Sequence, residues 1–233
     1  ASPRQRWRLC TLAADIDVRD DRRESAARYL IEAREHQPDD DVACSHEVLA
    51  LSLLGEEARA HELAQQVRAR FPNSPHAHAA CVRTALSDEE FSGLLRDLPA
   101  QLASDSYVWA EAAVRAEGLG SLALAEATGR TAVKHAADDP RSWLSLGSVL
   151  LRTEIAKIDP DEPPQNIHSI DNARLEESEA LLTRALERAE GTDARIAVTA
   201  ALRRAVARDF LGRVDGAHAD VEQAYQIAPQ DRK

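Results

Sequence analysis

The sequence predicts an all-α chain built from repeated helical units, and three observations carry that expectation. Identical residues recur 34 positions apart: Cys10 and Cys44, Ala26 and Ala60, Pro38 and Pro72, Trp109 and Trp143. The phrase LGEEARAHELAQQVRARFPNSP (Leu54 to Pro75) returns as LGRVDGAHADVEQAYQIAPQ (Leu211 to Gln230), in both cases with Ala five residues after Gly and a Pro near the close. The apolar residues are mostly Ala, Leu and Val, with only three each of Trp, Tyr and Phe, a composition that suits thin layers of closely packed helices.

Each unit reads as a helix, a tight turn and a second helix. Neither helix can bury its apolar stripe alone, so successive units must stack to close a core. In order, the units run over 7–40, 41–74, 75–105, 106–139, 140–191 and 192–231. The first closes on PDDD (Pro38 to Asp41), where acids ahead of a helix cap open N–H groups and complement its dipole. The second carries the first Leu-Gly phrase. The third is short and holds Pro99 inside its expected second helix, which should kink or truncate it. In the fourth, Trp109 opens the unit, and Gly118 and Gly120 of GLGSLA turn the chain between its helices. The fifth starts at ADDP (Ala137 to Pro140) and Trp143, and is lengthened by EIAKIDPDEPPQNIHSIDNA (Glu154 to Ala173). The sixth holds the second Leu-Gly phrase. Ala26, Ala60, Ala125, Ala132, Ala185 and Ala224 permit close helix approach, while Trp109 and Trp143 fill the larger gaps. Trp7 lies outside that register.

Self-similarity at this period resembles the tetratricopeptide repeat (TPR) family. Trp143, Leu146, Gly147 and Leu150 fill the first half of its pattern, with Leu in place of Tyr. Ala217, Val221, Ala224 and Pro229 fill the second half in the last unit. The resemblance covers nearly the whole chain and implies a right-handed superhelical solenoid, with 1–233 as a single repeat domain.

Net charge is −11, which repels phosphate backbones and anionic lipid and disfavours a nucleic-acid partner. Only Lys134, Lys157 and Lys233 are lysine, so the basic side chains are nearly all Arg, suited to gripping carboxylates in bidentate fashion. No apolar run is long enough for a membrane span and no signal peptide opens the chain, which predicts a soluble, cytoplasmic protein. The sequence contains no Met, even at position 1, which predicts a piece of a longer or processed product. Cys10, Cys44 and Cys81 lack the paired spacing of a zinc or redox motif and are expected as free, buried thiols.

Several motifs yield to structural readings. GLGSLA satisfies the dinucleotide-binding fingerprint, with Asp138 at the expected remove, but a helix precedes it where the fingerprint needs a strand. HEVLA (His46) and HELAQ (His61) begin like a metalloprotease motif yet lack the second His. His76 and His78 are two apart and diverge on a helix; solvated or capping roles are expected for the histidines. HSID (His168 to Asp171) is adjacency without a spatial relay. The insertion is longer than a turn needs, and is expected to be disordered, simply packed, or a contact site.

The resemblance implies that a protein or peptide partner lies in a concave groove formed by the first helices of successive units. Its register points Arg8, Asp15, Ser45, Leu49, His76, Arg83, Tyr107, Val114, Arg141, Leu144, Ser148, Arg203 and Val206 towards that groove. The Lys and Asn of the carboxylate-clamp subgroup are replaced by Thr11, Asp15, His46 and Ala80, so binding of chaperone tails is not implied. Arg83 and Arg141 offer an acidic partner a foothold. The expectation is a non-catalytic interaction module, without cofactor or metal, serving as the scaffold or sensor arm of a larger protein. A stand-alone adaptor is the alternative. An enzyme would require the insertion to fold over the groove and bring His168 and Asp171 near Arg141 or Arg152.

Overall fold

The computed structural model describes residues 2–19, 22–36, 40–158 and 170–227. Within them the chain forms α1 (Pro3–Arg19), α2 (Arg23–His36), α3 (Asp41–Leu53), α4 (Glu57–Arg70), α5 (Pro75–Thr84), α6 (Asp88–Arg96), α7 (Ser106–Leu119), α8 (Leu122–His135), α9 (Pro140–Ile155), α10 (Asn172–Ala189), α11 (Ala194–Phe210) and α12 (Val214–Ile227). No strand occurs among the described residues. None of the helices is long and apolar enough to cross a membrane. The chain divides within α7 into two compact units, Ala1–Glu111 and Ala112–Lys233.

Local chemistry starts and stops the helices. Asp40 accepts from the Ala43 N–H ahead of α3, and Asp139 from the Arg141 N–H ahead of α9. Ser74 caps α5 with Pro75 in its first turn, Ser121 caps α8, and Asp171 and Asp193 cap α10 and α11. The recurring Leu-Gly phrase is the hairpin turn itself. Leu54 and Leu211 end α3 and α11, and Gly55 and Gly212 follow at φ 75° and 73°, where a side chain would be strained. The third hairpin is truncated as expected: α6 stops at Arg96, and Pro99 precedes a one-turn 3-10 helix over Ala100–Leu102. The first hairpin starts earlier than the repeat register, at Pro3.

In the first unit, Ala14, Ala27, Leu30 and Ala50 form a core flanked by Leu49 and Leu53, and Phe91 is fully buried on α6. In the second, Trp143, Leu146, Leu150, Leu181, Leu186, Ile196 and Ala200 join α9, α10 and α11. The two Trp residues of the 34-residue period do equivalent work: Trp109 Nε1 donates to the Ala103 carbonyl at 2.9 Å and Trp143 Nε1 to the Ala137 carbonyl at 2.7 Å, each six residues back. Gly147 lies where α9 meets α10, since a Cβ there would stand 2.8 Å from Leu182 Cγ.

A buried carboxylate organises the flanks of the insertion. Glu154, 1% exposed, accepts from the Asp171 backbone N–H at 2.8 Å, pairs with Lys157 Nζ at 2.6 Å and lies 3.0 Å from Arg174 Nε. In the last hairpin, Asp220 of α12 is buried between Arg204 (2.6 Å) and Arg208 (2.8 Å) of α11. Residues 159–169 of the insertion, Pro38 and Pro229 lie outside the described residues, and with them the readings placed on the insertion's prolines and His168.

Candidate functional site

Within the first unit, the first helices α1, α3 and α5 and the opening turns of α7 gather a polar and aromatic cluster. Trp7 stacks on His46 with ring centroids 6.4 Å apart and planes 14° from parallel. His76 tilts against Tyr107 at 4.8 Å. Arg83 donates from Nε to the Glu111 carboxylate at 2.9 Å and from Nη2 to the Tyr107 hydroxyl at 3.3 Å. Burial opposes the charge on Arg83, but Glu111 and Tyr107 outweigh it and hold the guanidinium more firmly protonated than a free arginine. His46 is pushed the other way, down to about 4, first by burial and then by the charges of Arg83 and His76. Its imidazole is therefore neutral near pH 7. Trp7 Nε1 and His46 Nδ1 are both buried and have no hydrogen-bond partner among the described residues.

Within the second unit, Glu117 of α7 accepts from Arg203 of α11 at 2.8 Å and stands 3.8 Å from Arg152 of α9, tying three first helices together. Val114 lies one turn before Glu117 on the same α7 face and is 46% exposed. On α11, Leu202, Val206 and Phe210 follow one another at four-residue spacing, and are 44%, 41% and 36% exposed. They form an exposed apolar stripe on the helix face that also carries Arg203.

The sequence-derived groove residues divide among these surroundings. His76, Arg83 and Tyr107 meet in the first unit, while in the second Val114 and Val206 are each exposed and Arg203 is bonded to Glu117. Arg8 is exposed on α1, and the Asp15 side chain lies outside the described residues. Other assignments are corrected. Ser45 and Ser148 are buried, their hydroxyls donating to the Asp41 and Leu144 carbonyls of their own helices. Leu49 and Leu144 are half-buried against the cores. Arg83 and Arg141 are each engaged by a carboxylate of their own unit, Glu111 and Asp139, so neither is the free foothold for an acidic partner that the sequence suggested. His78 is also buried, with Nε2 2.8 Å from the Pro72 carbonyl, rather than solvated. Asp171 spends its side chain capping α10.

The sequence singled out Trp7 and His46 without pairing them, and it gave no role to Glu111 in one unit or to Glu117, Leu202 and Phe210 in the other. The four-residue spacing of Leu202, Val206 and Phe210 was a usable signal. The two glutamates look like ordinary helix-surface charges until their arginine partners are placed.

No protein-family model matches the chain, and no curated protein does. Solved structures do. The structure of IFIT1 with Gppp-AAAA superposes with a TM-score of 0.63 at 12% identity, over 90% of this chain and 47% of that one. PilW, a widely conserved type IV pilus biogenesis factor, gives a TM-score of 0.55 at 15% identity over 97% and 95% of the two chains. YrrB, a TPR protein with an unusual peptide-binding site, superposes more loosely, at 0.48 and 15% identity over 88% and 95%. The chain spans about half the length of the IFIT1 chain it matches. Consecutive hairpins that begin at Asp41, Pro75, Ser106 and Pro140 make the fold all-α and TPR-like.

Proposed function

We propose that the chain is a protein-interaction repeat module that holds an amphipathic segment of a protein partner on the first-helix face of its second unit and performs no chemistry of its own. The exposed stripe of Leu202, Val206 and Phe210 carries this reading. An apolar face of that spacing, flanked by charged residues, accepts the i, i+3, i+4, i+7 face of a helix or alternate side chains of an extended segment. Val114 extends the apolar surface, while Arg203, Glu117 and Arg152 supply a polar rim that would fix register.

The same proposal takes residues 1–233 as one repeat array, a scaffold or sensor arm of a larger protein. A cytoplasmic setting fits the three free, buried cysteines, which suit a reducing compartment. A nucleic-acid partner is disfavoured by the charge of −11 and by the pairing of Arg83, Arg152 and Arg203 with glutamates.

The test is a random-peptide selection on the full chain, followed by affinity measurement against Val206→Glu and, as a control on α12, Val221→Glu. Both valines are exposed, so helicity should be unchanged in each. Selected peptides are expected to bind Val206→Glu about tenfold or more weakly, since a charge on the apolar stripe must be desolvated. Equal affinity for wild type and Val206→Glu would remove the stripe from the function.

A further inference from the structure

Away from these faces, the first hairpin brings three metal-ligating side chains together. Cys10 on α1 and Glu32 and His36 on α2 present a thiol sulfur, a carboxylate oxygen and an imidazole nitrogen that all lie within 4.8 Å of one another. Among the described residues no other group of three such ligands does so. Glu32 and His36 are four residues apart, so they stand one above the other on a single α2 face. Cys10 is buried on α1, which packs against α2, and its thiol donates a hydrogen bond to the Glu32 carboxylate.

We propose that Cys10, Glu32 and His36 form a three-ligand site for a thiophilic divalent cation, Zn2+ in the first instance, which ties α1 to α2. One sulfur, one nitrogen and one oxygen suit Zn2+ and exclude the all-oxygen shells that Mg2+ and Ca2+ require. Zn–S near 2.3 Å and Zn–N and Zn–O near 2.1 Å put tetrahedral ligand atoms about 3.5 Å apart, so the three atoms need to close by about 1 Å. The Glu32 side chain is exposed and His36 half-buried, so rotation about their side-chain bonds supplies that movement without displacing either helix. Water completes the fourth position. Binding displaces the Cys10 thiol proton to solvent, and the thiolate and carboxylate together neutralise the cation. The ion would hold α1 one turn from Trp7, so that metal occupancy fixes the indole stacked on His46.

Co2+ is the probe, added to the untagged full chain under a non-thiol reductant, because a Co2+–thiolate bond gives a charge-transfer absorption in the near ultraviolet. One equivalent of Co2+ is expected to saturate that band, and Zn2+ to abolish it by displacement. Cys10→Ser should remove the band. Glu32→Gln and His36→Gln should weaken Co2+ binding about tenfold or more. Cys44→Ala and Cys81→Ala should leave it unchanged. Glu32→Gln alters an exposed side chain and keeps the comparison valid should Cys10→Ser unfold, as circular dichroism would show. A wild-type protein with no charge-transfer band at stoichiometric Co2+, a band that survives Cys10→Ser, or one lost with Cys44 or Cys81 overturns the site.

Discussion

Acidification between pH 6.5 and pH 4 is expected to destabilise the first unit through one side chain, His46. Its imidazole is stacked on Trp7, and burial, followed by the charges of Arg83 and His76, holds its pKa near 4; Asp40 works weakly the other way. In the unfolded chain the same ring takes its proton near 6.5. As pH falls, the unfolded state therefore protonates first. The stability contributed by the neutral ring is full above pH 6.5, is lost progressively towards pH 4, and changes little below. A gap of about 2.5 pH units, at about 1.4 kcal/mol each, sets a ceiling of about 3 kcal/mol, most of it lost by pH 4.5. The assay is urea unfolding of wild type and His46→Gln at pH 7 and pH 4.5, followed by circular dichroism. Carboxylates common to both proteins cancel in the comparison, so the wild type should lose about 2 to 3 kcal/mol more than the variant. Parallel losses in the two proteins, or a His46 ring resonance that titrates near 6.5, would refute the reasoning.

Other consequences are equally direct. Gly147→Ala forces a methyl to within 2.8 Å of Leu182 Cγ and should cost about 1 to 3 kcal/mol in urea unfolding; an unchanged midpoint would show that α9 and α10 have room to part. Glu154→Gln weakens the hold on Lys157 and Arg174 at a buried position and should cost about 2 to 3 kcal/mol in urea unfolding; an unchanged midpoint would show that the charge does not hold them. Trp143→Phe deletes the hydrogen bond to Ala137 and should lower stability by about 1 kcal/mol, while leaving far-ultraviolet circular dichroism unchanged.

Much of the fold was legible because repeats write it in several chemistries at once. Proline and capping acids mark the starts of α3, α5 and α9, Leu-Gly marks the turns after α3 and α11, and Pro99 marks a helix that could not continue. These signals are local, so a single sequence suffices to read them. The exposed faces were less legible, for a geometric reason. A first helix in such an array is covered by its own hairpin partner and by neighbouring hairpins, which leaves only a narrow open arc. Each residue turns the helix by about 100°, so an error of one position carries a side chain from that arc into the core. Ser45 and Ser148 fell on the wrong side of it, and Leu202 and Phe210 were missed on the right side. In α11 most of the alanines are buried, and the open arc is marked only by the four-residue spacing of Leu202, Val206 and Phe210. The pairing of Arg83 with Glu111 and of Arg203 with Glu117 spans 28 and 86 residues, beyond the reach of any local spacing rule.

The central claim is that a partner segment lies on Val114, Leu202 and Val206. The most direct measurement is the methyl spectrum of the full chain, labelled at Leu and Val, during titration with a peptide selected on it. The methyl signals of Val114, Leu202 and Val206 should shift together and saturate with one affinity, while those of Val221 on α12 and Leu9 on α1 stay in place. Saturating shifts at Val221 or Leu9 with Val114, Leu202 and Val206 unmoved would contradict it.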